Sequence, residues 1–290
     1  MIKIIFPIIF FCCLLALPGR AQPASCIFNG KGVRVQLVSD AAKIQAGQTF
    51  HLGLWLQHEP GYHTYWQNPG LAGIATNLKP ELPPGFTTGA MIYPPPDKVK
   101  MASLNVHGFE RDILVALPIT APSPLPPGDL TIPVQASWMC CQRTCNPGLA
   151  QLSIRLATGE KSTPDAAWLP KLQALLAAQP PVISGWTLKA TRFEKEIELM
   201  AEPPPDLPLP EGPQFFSSDN LICSHPLQDW QKSGTGYRVR LSLSEFPPDD
   251  QSHLRGLLFG KGSWLPKQNA PYCSIAVPVK NDSAASPATR

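Results

Sequence analysis

Apolar and polar positions alternate with a period of two along most of this chain. Val33, Val35 and Leu37 share one face of Val33–Val38, and Phe50, Leu52, Leu54 and Leu56 share one face of Phe50–Leu56. Ile113–Ile119, Leu130–Ala136 and Leu152–Leu156 read the same way, bounded by Pro/Gly turns such as Pro126-Pro127-Gly128-Asp129. Successive side chains of a strand point to opposite faces, so this pattern predicts short half-buried strands at sandwich-like spacing. The period changes between 159 and 184. There Asp165 to Gln179 places Ala and Leu at helical spacing until Pro180-Pro181, which predicts a short helix inside a linker. Alternation then resumes in Trp186–Thr191, Glu196–Met200, Tyr237–Leu243, Leu254–Phe259 and Ser274–Val279. The proline run Pro203–Pro210 reads as extended loop. The prediction is an all-β chain. Two β-sandwich domains, over 26–158 and 185–280, are joined by a short partly helical linker over 159–184. A small polar tail, expected to be disordered, follows over 281–290.

Composition supports this class. The chain has 290 residues, with 35 Pro against 21 Gly and 16% charged residues. That much proline excludes a helical bundle, because proline lacks the amide and clashes inside a helix. A hydrophobic fraction of 43% excludes a disordered chain. The net charge is +3, and the first 24 residues hold Lys3 and Arg20 with no acid. The remainder is therefore nearly neutral. It has no electrostatic footprint for nucleic acid and no basic run for anionic lipid. Lys3 precedes an apolar run from Ile4 to Leu17, broken by Pro7, and small residues follow. This is the pattern of a secretory signal peptide over 1–24. A membrane span needs about 20 apolar residues, more than this run supplies. The expectation is an exported, soluble protein with no transmembrane segment in the mature chain.

Export makes the cysteines informative. Cys12 and Cys13 would leave with the signal. Cys26, Cys140, Cys141, Cys145, Cys223 and Cys273 remain. An even set in an oxidising compartment suggests disulfides. Three of the six crowd into Trp138-Met139-Cys140-Cys141-Gln142-Arg143-Thr144-Cys145-Asn146-Pro147-Gly148, directly after the strand Leu130–Ala136. A Cys-x-x-x-Cys pair can close a small ring across a turn or hairpin. Rings this short tend to be labile. Three readings stay open for this cluster. One is a redox-exchanging disulfide and another an inert structural one. The third is a copper or zinc site formed by Cys140, Cys141 and Cys145 with His63 or His107. Cys223 and Cys273 lie in different strand regions of the second half, and a structural disulfide between them is the simplest expectation. One of them pairing with Cys26 is the alternative.

The sequence also resembles a known family. The residues are Tyr62-His63-Thr64-Tyr65-Trp66-Gln67-Asn68-Pro69-Gly70, Gly73, Leu82-Pro83-Pro84-Gly85-Phe86 and Tyr93-Pro94-Pro95-Pro96, followed by the register Trp138, Cys141, Cys145 and Pro147. Together they resemble the amino-terminal periplasmic region of the thiol:disulfide interchange protein DsbD, and more closely its copper-tolerance-associated relatives of the ScsB type. Trp186, Phe215-Phe216, Pro226 and Gly256-Leu257-Leu258 extend the likeness weakly into the second half. The resemblance implies immunoglobulin-like sandwiches, the first carrying a redox disulfide of Cys141 and Cys145 as the catalytic pair, in the periplasm. Cys145 would form the mixed disulfide and Cys141 would resolve it. A thioredoxin-like domain or a membrane electron-transfer protein would be the donor, and periplasmic disulfide-containing proteins the acceptors. No cofactor is implied. The activity class is a protein-disulfide reductase or interchange component. An inert disulfide in a structural adaptor, and metal binding, are the rival functions. A cap over the disulfide is implied near Pro96–His107, with Met101 and Leu104 as its apolar candidates. Tyr62, Tyr65 and Trp66 read as packing more than as partner surface, and His63 and His107 as ordinary histidines more than as ligands.

Overall fold

The computed structural model describes residues 26–282. The expected signal peptide and nearly all of the expected polar tail lie outside the described residues. Twelve strands make the first half: β1 (Ile27–Gly30), β2 (Val33–Ser39), β3 (Ala41–Ile44), β4 (Thr49–His58), β5 (Thr64–Gly70), β6 (Asn77–Pro80), β7 (Thr87–Thr88), β8 (Asp97–Met101), β9 (Leu104–Phe109), β10 (Ile113–Thr120), β11 (Gly128–Cys141) and β12 (Cys145–Thr158). β13 (Thr163–Pro164) and α1 (Leu169–Ala177) connect to the second half. That half holds β14 (Thr187–Arg192), β15 (Glu196–Glu202), β16 (Glu211–Ser217), β17 (Gln231–Ser233), β18 (Gly236–Ser242), β19 (His253–Lys261) and β20 (Tyr272–Asn281). The fold is all-β, two immunoglobulin-like sandwiches with a short partly helical connection.

In the first sandwich the sheet β1-β2-β4-β10-β7 packs on the sheet β13-β3-β12-β11-β6. Period-two alternation builds the core between them. Leu52, Leu54 and Leu56 of β4 and Ile113 and Val115 of β10 meet Ile132, Val134, Ala136 and Trp138 of β11. A fully buried side chain of this kind contributes about 1.5–3 kcal/mol, so each of these layers matters. The opposite face of β10 is apolar too, at Leu114 and Ala116, and α1 covers it with Leu172 and Leu175. The Lys171 ammonium lies 4.9 Å from the Trp55 ring centre and 4.4 Å from that of Trp168, which fastens the helix by cation–π attraction. The connector is therefore a packed part of the first sandwich's surface. A third, small sheet, β5-β9-β8, lies against the end of β11.

The second half is a seven-stranded open sheet, β16-β19-β20-β14-β15-β18-β17, that folds over at β20. Tyr272 to Pro278 pair antiparallel with β19, and Val279 to Asn281 pair parallel with β14. A strand that changes partners along its length turns one sheet into two layers. Ile197, Leu199, Val239, Leu241, Leu254, Leu258, Ile275 and Val277 fill the space between. Phe216 and Leu257 instead point into the first core, so the two halves share apolar packing.

The expected Cys223–Cys273 bridge is not formed: both are free thiols, as is Cys26. Cys223 follows the isolated Ile222–Leu243 bridge, outside any strand, and lines a surface hollow with Gln228, Arg238 and Arg240. Cys273 is fully buried in the second core, where burial pushes its thiol up to about 11. The Cys26 alternative fails because Cys26 packs against the first core.

Two histidines, His107 buried and His58 half-buried, set an acid limit on this fold. Burial pulls both His58 and His107 down to about 4, against about 6.5 in an unfolded chain. Between these values the unfolded chain binds more protons, so the stability present above pH 6.5 is lost as pH falls toward 4. Each histidine contributes on the order of 3 kcal/mol across that window. Urea titrations at pH 7 and pH 4.5 are expected to show a lower midpoint at the acid end, and His107→Gln should flatten the difference. An unchanged midpoint would mean that these rings are not held neutral.

Candidate functional site

The site is built on the longest hairpin of the molecule. β11 and β12 pair over their full length, and Cys141 faces Cys145 in the last register position before the turn Gln142-Arg143-Thr144. The two cysteines are joined by a disulfide, with Cα atoms 4.1 Å apart. Alternation along β11 sorts the cluster. Ile132, Val134, Ala136, Trp138 and Cys140 face the sandwich core. Met139 and Cys141 face the other way, under the small sheet. Cys140 and Cys141 are thus both buried but on opposite sides of one strand. The three-cysteine metal set does not come together, and among the described residues no three His, Cys, Asp or Glu side chains are placed to hold an ion. Burial, with a smaller contribution from the Glu59 charge, pushes Cys140 up to about 12, so it stays a thiol.

The two sulfurs of the disulfide have different surroundings. Cys141 is sealed beneath Tyr65, Val99 and Val106. Cys145 is exposed, as are Pro147 and Leu149, which alternate onto the same face of β12. Cys145 therefore sits beside an exposed apolar stripe, with Leu149 62% exposed.

The segment from Tyr62 to Gly70 supplies the buried side of the site. His63 exchanges two backbone hydrogen bonds with Cys141, both at 2.9 Å, which register this segment against the hairpin end. The Tyr65 hydroxyl then lies 3.0 Å from Cys141 Sγ, 3.9 Å from Cys145 Sγ and 3.1 Å from Met101 Sδ. His63 Nε2 is 3.2 Å from the same hydroxyl. The Nε2–H tautomer of His63 donates to the Tyr65 oxygen and leaves the Tyr65 proton free to point at sulfur. Burial lowers the affinity of His63 for a proton and pushes the Tyr65 phenol up to about 12. Both shifts favour the neutral groups, and with the Nε2–H tautomer of His63 the Tyr65 hydroxyl is a donor toward sulfur. Gly73 makes room for it: a Cβ there would sit 2.3 Å from the Tyr65 ring, and its φ of +111° is one that other residues rarely take.

The expected cap is the hairpin of β8 and β9. Met101 is its reaching residue, with Sδ 3.7 Å from Cys145 Sγ. Leu104 is its register partner at the tip. Of the histidines weighed as ligands, His63 belongs to the site through Tyr65. His107 lies in the contact between the halves, its ring 5.0 Å from Phe216. Trp138 is a core residue opposite Gly148, three positions before Cys141. The catalytic candidates Cys141 and Cys145 were legible from spacing and resemblance. The role of Tyr65 and His63 was not, although the segment that holds them carried the resemblance.

Residues 33–156 match the family model for the N-terminal region of thiol:disulfide interchange protein DsbD. This part of the chain is similar to that region. Among solved structures, the N-terminal periplasmic domain of ScsB from Proteus mirabilis superimposes with a TM-score of 0.66 at 12% identity, over 88% of this chain and 97% of that one. That likeness spans both sandwiches and concerns the fold. The Escherichia coli adhesin FdeC aligns with a TM-score of 0.21 at 13% identity, over 84% of this chain and 63% of that one. At such a score it bears on nothing further. No curated protein matches the sequence.

Proposed function

We propose that this protein is a periplasmic thiol:disulfide interchange module. It passes reducing equivalents through Cys141 and Cys145, from a thioredoxin-like domain or membrane electron-transfer protein to periplasmic disulfide-containing proteins. The observation that carries the reading is the asymmetry of the pair: Cys145 is exposed while Cys141 is buried with a phenol hydroxyl 3.0 Å away. A donor thiolate attacks Cys145 Sγ in line with the disulfide. The bond to Cys141 breaks, and Cys141 leaves as a thiolate that takes the Tyr65 hydrogen bond. The donor's second thiol then displaces Cys145 from the mixed disulfide. The donor leaves oxidised, and the module holds two thiols. Reduction of an acceptor runs the same steps in reverse, with Cys145 as the attacking sulfur. The exposed stripe of Pro147 and Leu149 beside Cys145 suits a protein partner more than a small molecule.

Periplasmic placement rests on the signal-like start of the sequence, on the DsbD N-terminal match and on the periplasmic domain with the similar fold. Among the described residues no helix is long and apolar enough to cross a membrane. A redox titration in glutathione buffers, read by alkylation and mass spectrometry, tests the reading. A single two-electron transition confined to Cys141 and Cys145 is expected. A pair that stays oxidised across the accessible range of potentials would leave the structural reading in its place.

A further inference from the structure

The cap that carries Met101 is held from outside its own domain. Ser224, in the loop after β16, is buried at 7% exposure. Its hydroxyl donates to the Asn105 carbonyl at 3.2 Å and accepts the Leu71 amide at 3.0 Å. One hydroxyl of the second sandwich thus joins the returning strand of the cap to the end of β5. The Asn105 side-chain amide donates to the His225 carbonyl at 3.1 Å. Asn105 pairs with Lys100, one register step from the Met101–Leu104 pair at the tip. The grip is therefore applied beside the residue that covers the disulfide.

The base of the cap is gripped as well. The Tyr272 hydroxyl donates to the Pro96 carbonyl at 3.0 Å, just before β8 begins. The Phe216 ring meets the His107 edge on β9, and the Asn68 amide of β5 donates to the Ser217 carbonyl at 2.8 Å. Gly70 permits the closest of these approaches. A Cβ there would lie 2.0 Å from Ser224 Oγ, and the position has φ +85°. None of these bonds is part of the β5-β9-β8 ladder itself, so the small sheet would pair without them.

We propose that the second sandwich is the clamp of the cap, and that Ser224, Asn105 and Tyr272 are positioning residues that set how often Met101 leaves the Cys141–Cys145 disulfide. The proposal rests on the exchange reading above and adds a role for the second half of the chain. Opening the cap requires breaking these bonds while the sandwich cores stay intact, which is the usual form of a local opening. Cys145 is exposed as a residue, but Met101 Sδ lies 3.7 Å from its Sγ, so removing the clamp bonds raises the population in which that sulfur is uncovered, and attack is faster from that population.

The test is the rate at which dithiothreitol reduces the oxidised full-length protein. One thiolate attacks Cys145 Sγ, Cys141 leaves, and the second thiol closes the dithiothreitol ring. Ser224→Ala removes two bonds and is expected to raise the rate roughly tenfold. Asn105→Ala and Tyr272→Phe should each raise it severalfold, and Met101→Ala should raise it without touching the clamp. Thermal midpoints, followed in parallel, should not rank the variants in the same order as the rates. If Met101→Ala is faster but the three clamp variants match the wild type, the clamp is wrong and the exchange reading stands. If neither the wild type nor Met101→Ala is reduced, the exchange reading fails and the clamp falls with it. Should Ser224→Ala fail to fold, Asn105→Ala and Tyr272→Phe decide the matter alone.

Discussion

Replacing Cys145 by serine is expected to abolish exchange, whereas replacing Cys141 by serine is expected to arrest it midway. The two cysteines share one disulfide but not one environment. Cys145 is exposed, so the proposed exchange takes it as the sulfur that a partner thiolate reaches. Cys141 is buried under Tyr65 and the cap, so its work is to leave and to return. Without Cys145 no mixed disulfide forms through the hairpin. Without Cys141, a mixed disulfide at Cys145 has no internal thiol to resolve it and accumulates. Cys140→Ser should retain exchange, because that thiol faces the opposite core. It should cost stability, about 1–3 kcal/mol for a hydroxyl placed in an apolar site. Non-reducing gels and mass spectrometry after mixing with a reduced thioredoxin-like protein read all three variants. Equal trapping through Cys141 and Cys145 would contradict the assigned asymmetry.

Tyr65→Phe is expected to slow reduction of the disulfide by roughly 10–100-fold. The hydroxyl is 3.0 Å from the sulfur that must become an anion. In the oxidised pair that sulfur is a weak acceptor, and Met101 Sδ competes for the same proton at 3.1 Å. Once the bond breaks, the thiolate outcompetes the thioether. A hydrogen bond to a charged group contributes about 1.5–3 kcal/mol, which gives the stated range in rate. Phenylalanine keeps the ring against Gly73, so packing is conserved. Losing the Met101 contact would loosen the cap and act in the opposite direction. The thiolate absorbance of the reduced protein separates the two effects: in the variant, Cys141 should ionise at higher pH. An unchanged ionisation would assign the hydroxyl to packing.

Strands with one wet face were legible in the sequence. All ten segments read from alternation are strands. The other ten strands were not, among them β5, β8, β9 and β16. Thr64, Tyr65 and Trp66 of β5 are buried in succession, so no alternation marks them. Gly212 and Pro213 interrupt β16 with a bulge. β11 and β12 each run to fourteen residues, past the point where alternation gives way to cysteines. The Cys141–Cys145 pair was implied by the resemblance, on a Cys-x-x-x-Cys spacing that a hairpin turn can close. The Cys223–Cys273 pairing could not be read, because it depends on where the loop holding Cys223 runs relative to Cys273 of β20, far along the chain. The cap's position was implied by resemblance. Its attachment to the second sandwich depends on Ser224 and Asn105, two polar residues with no local pattern.

The central claim is that electrons enter and leave through this one disulfide by way of Cys145. The most direct measurement mixes the oxidised wild-type protein with a stoichiometric amount of a reduced thioredoxin-like donor, quenches with an alkylating reagent and maps the labelled cysteines over time. The account predicts loss of the donor's thiols in step with new label on Cys141 and Cys145, through a transient species joined at Cys145. Label confined to Cys26, Cys140, Cys223 and Cys273, with the donor still reduced, would contradict it.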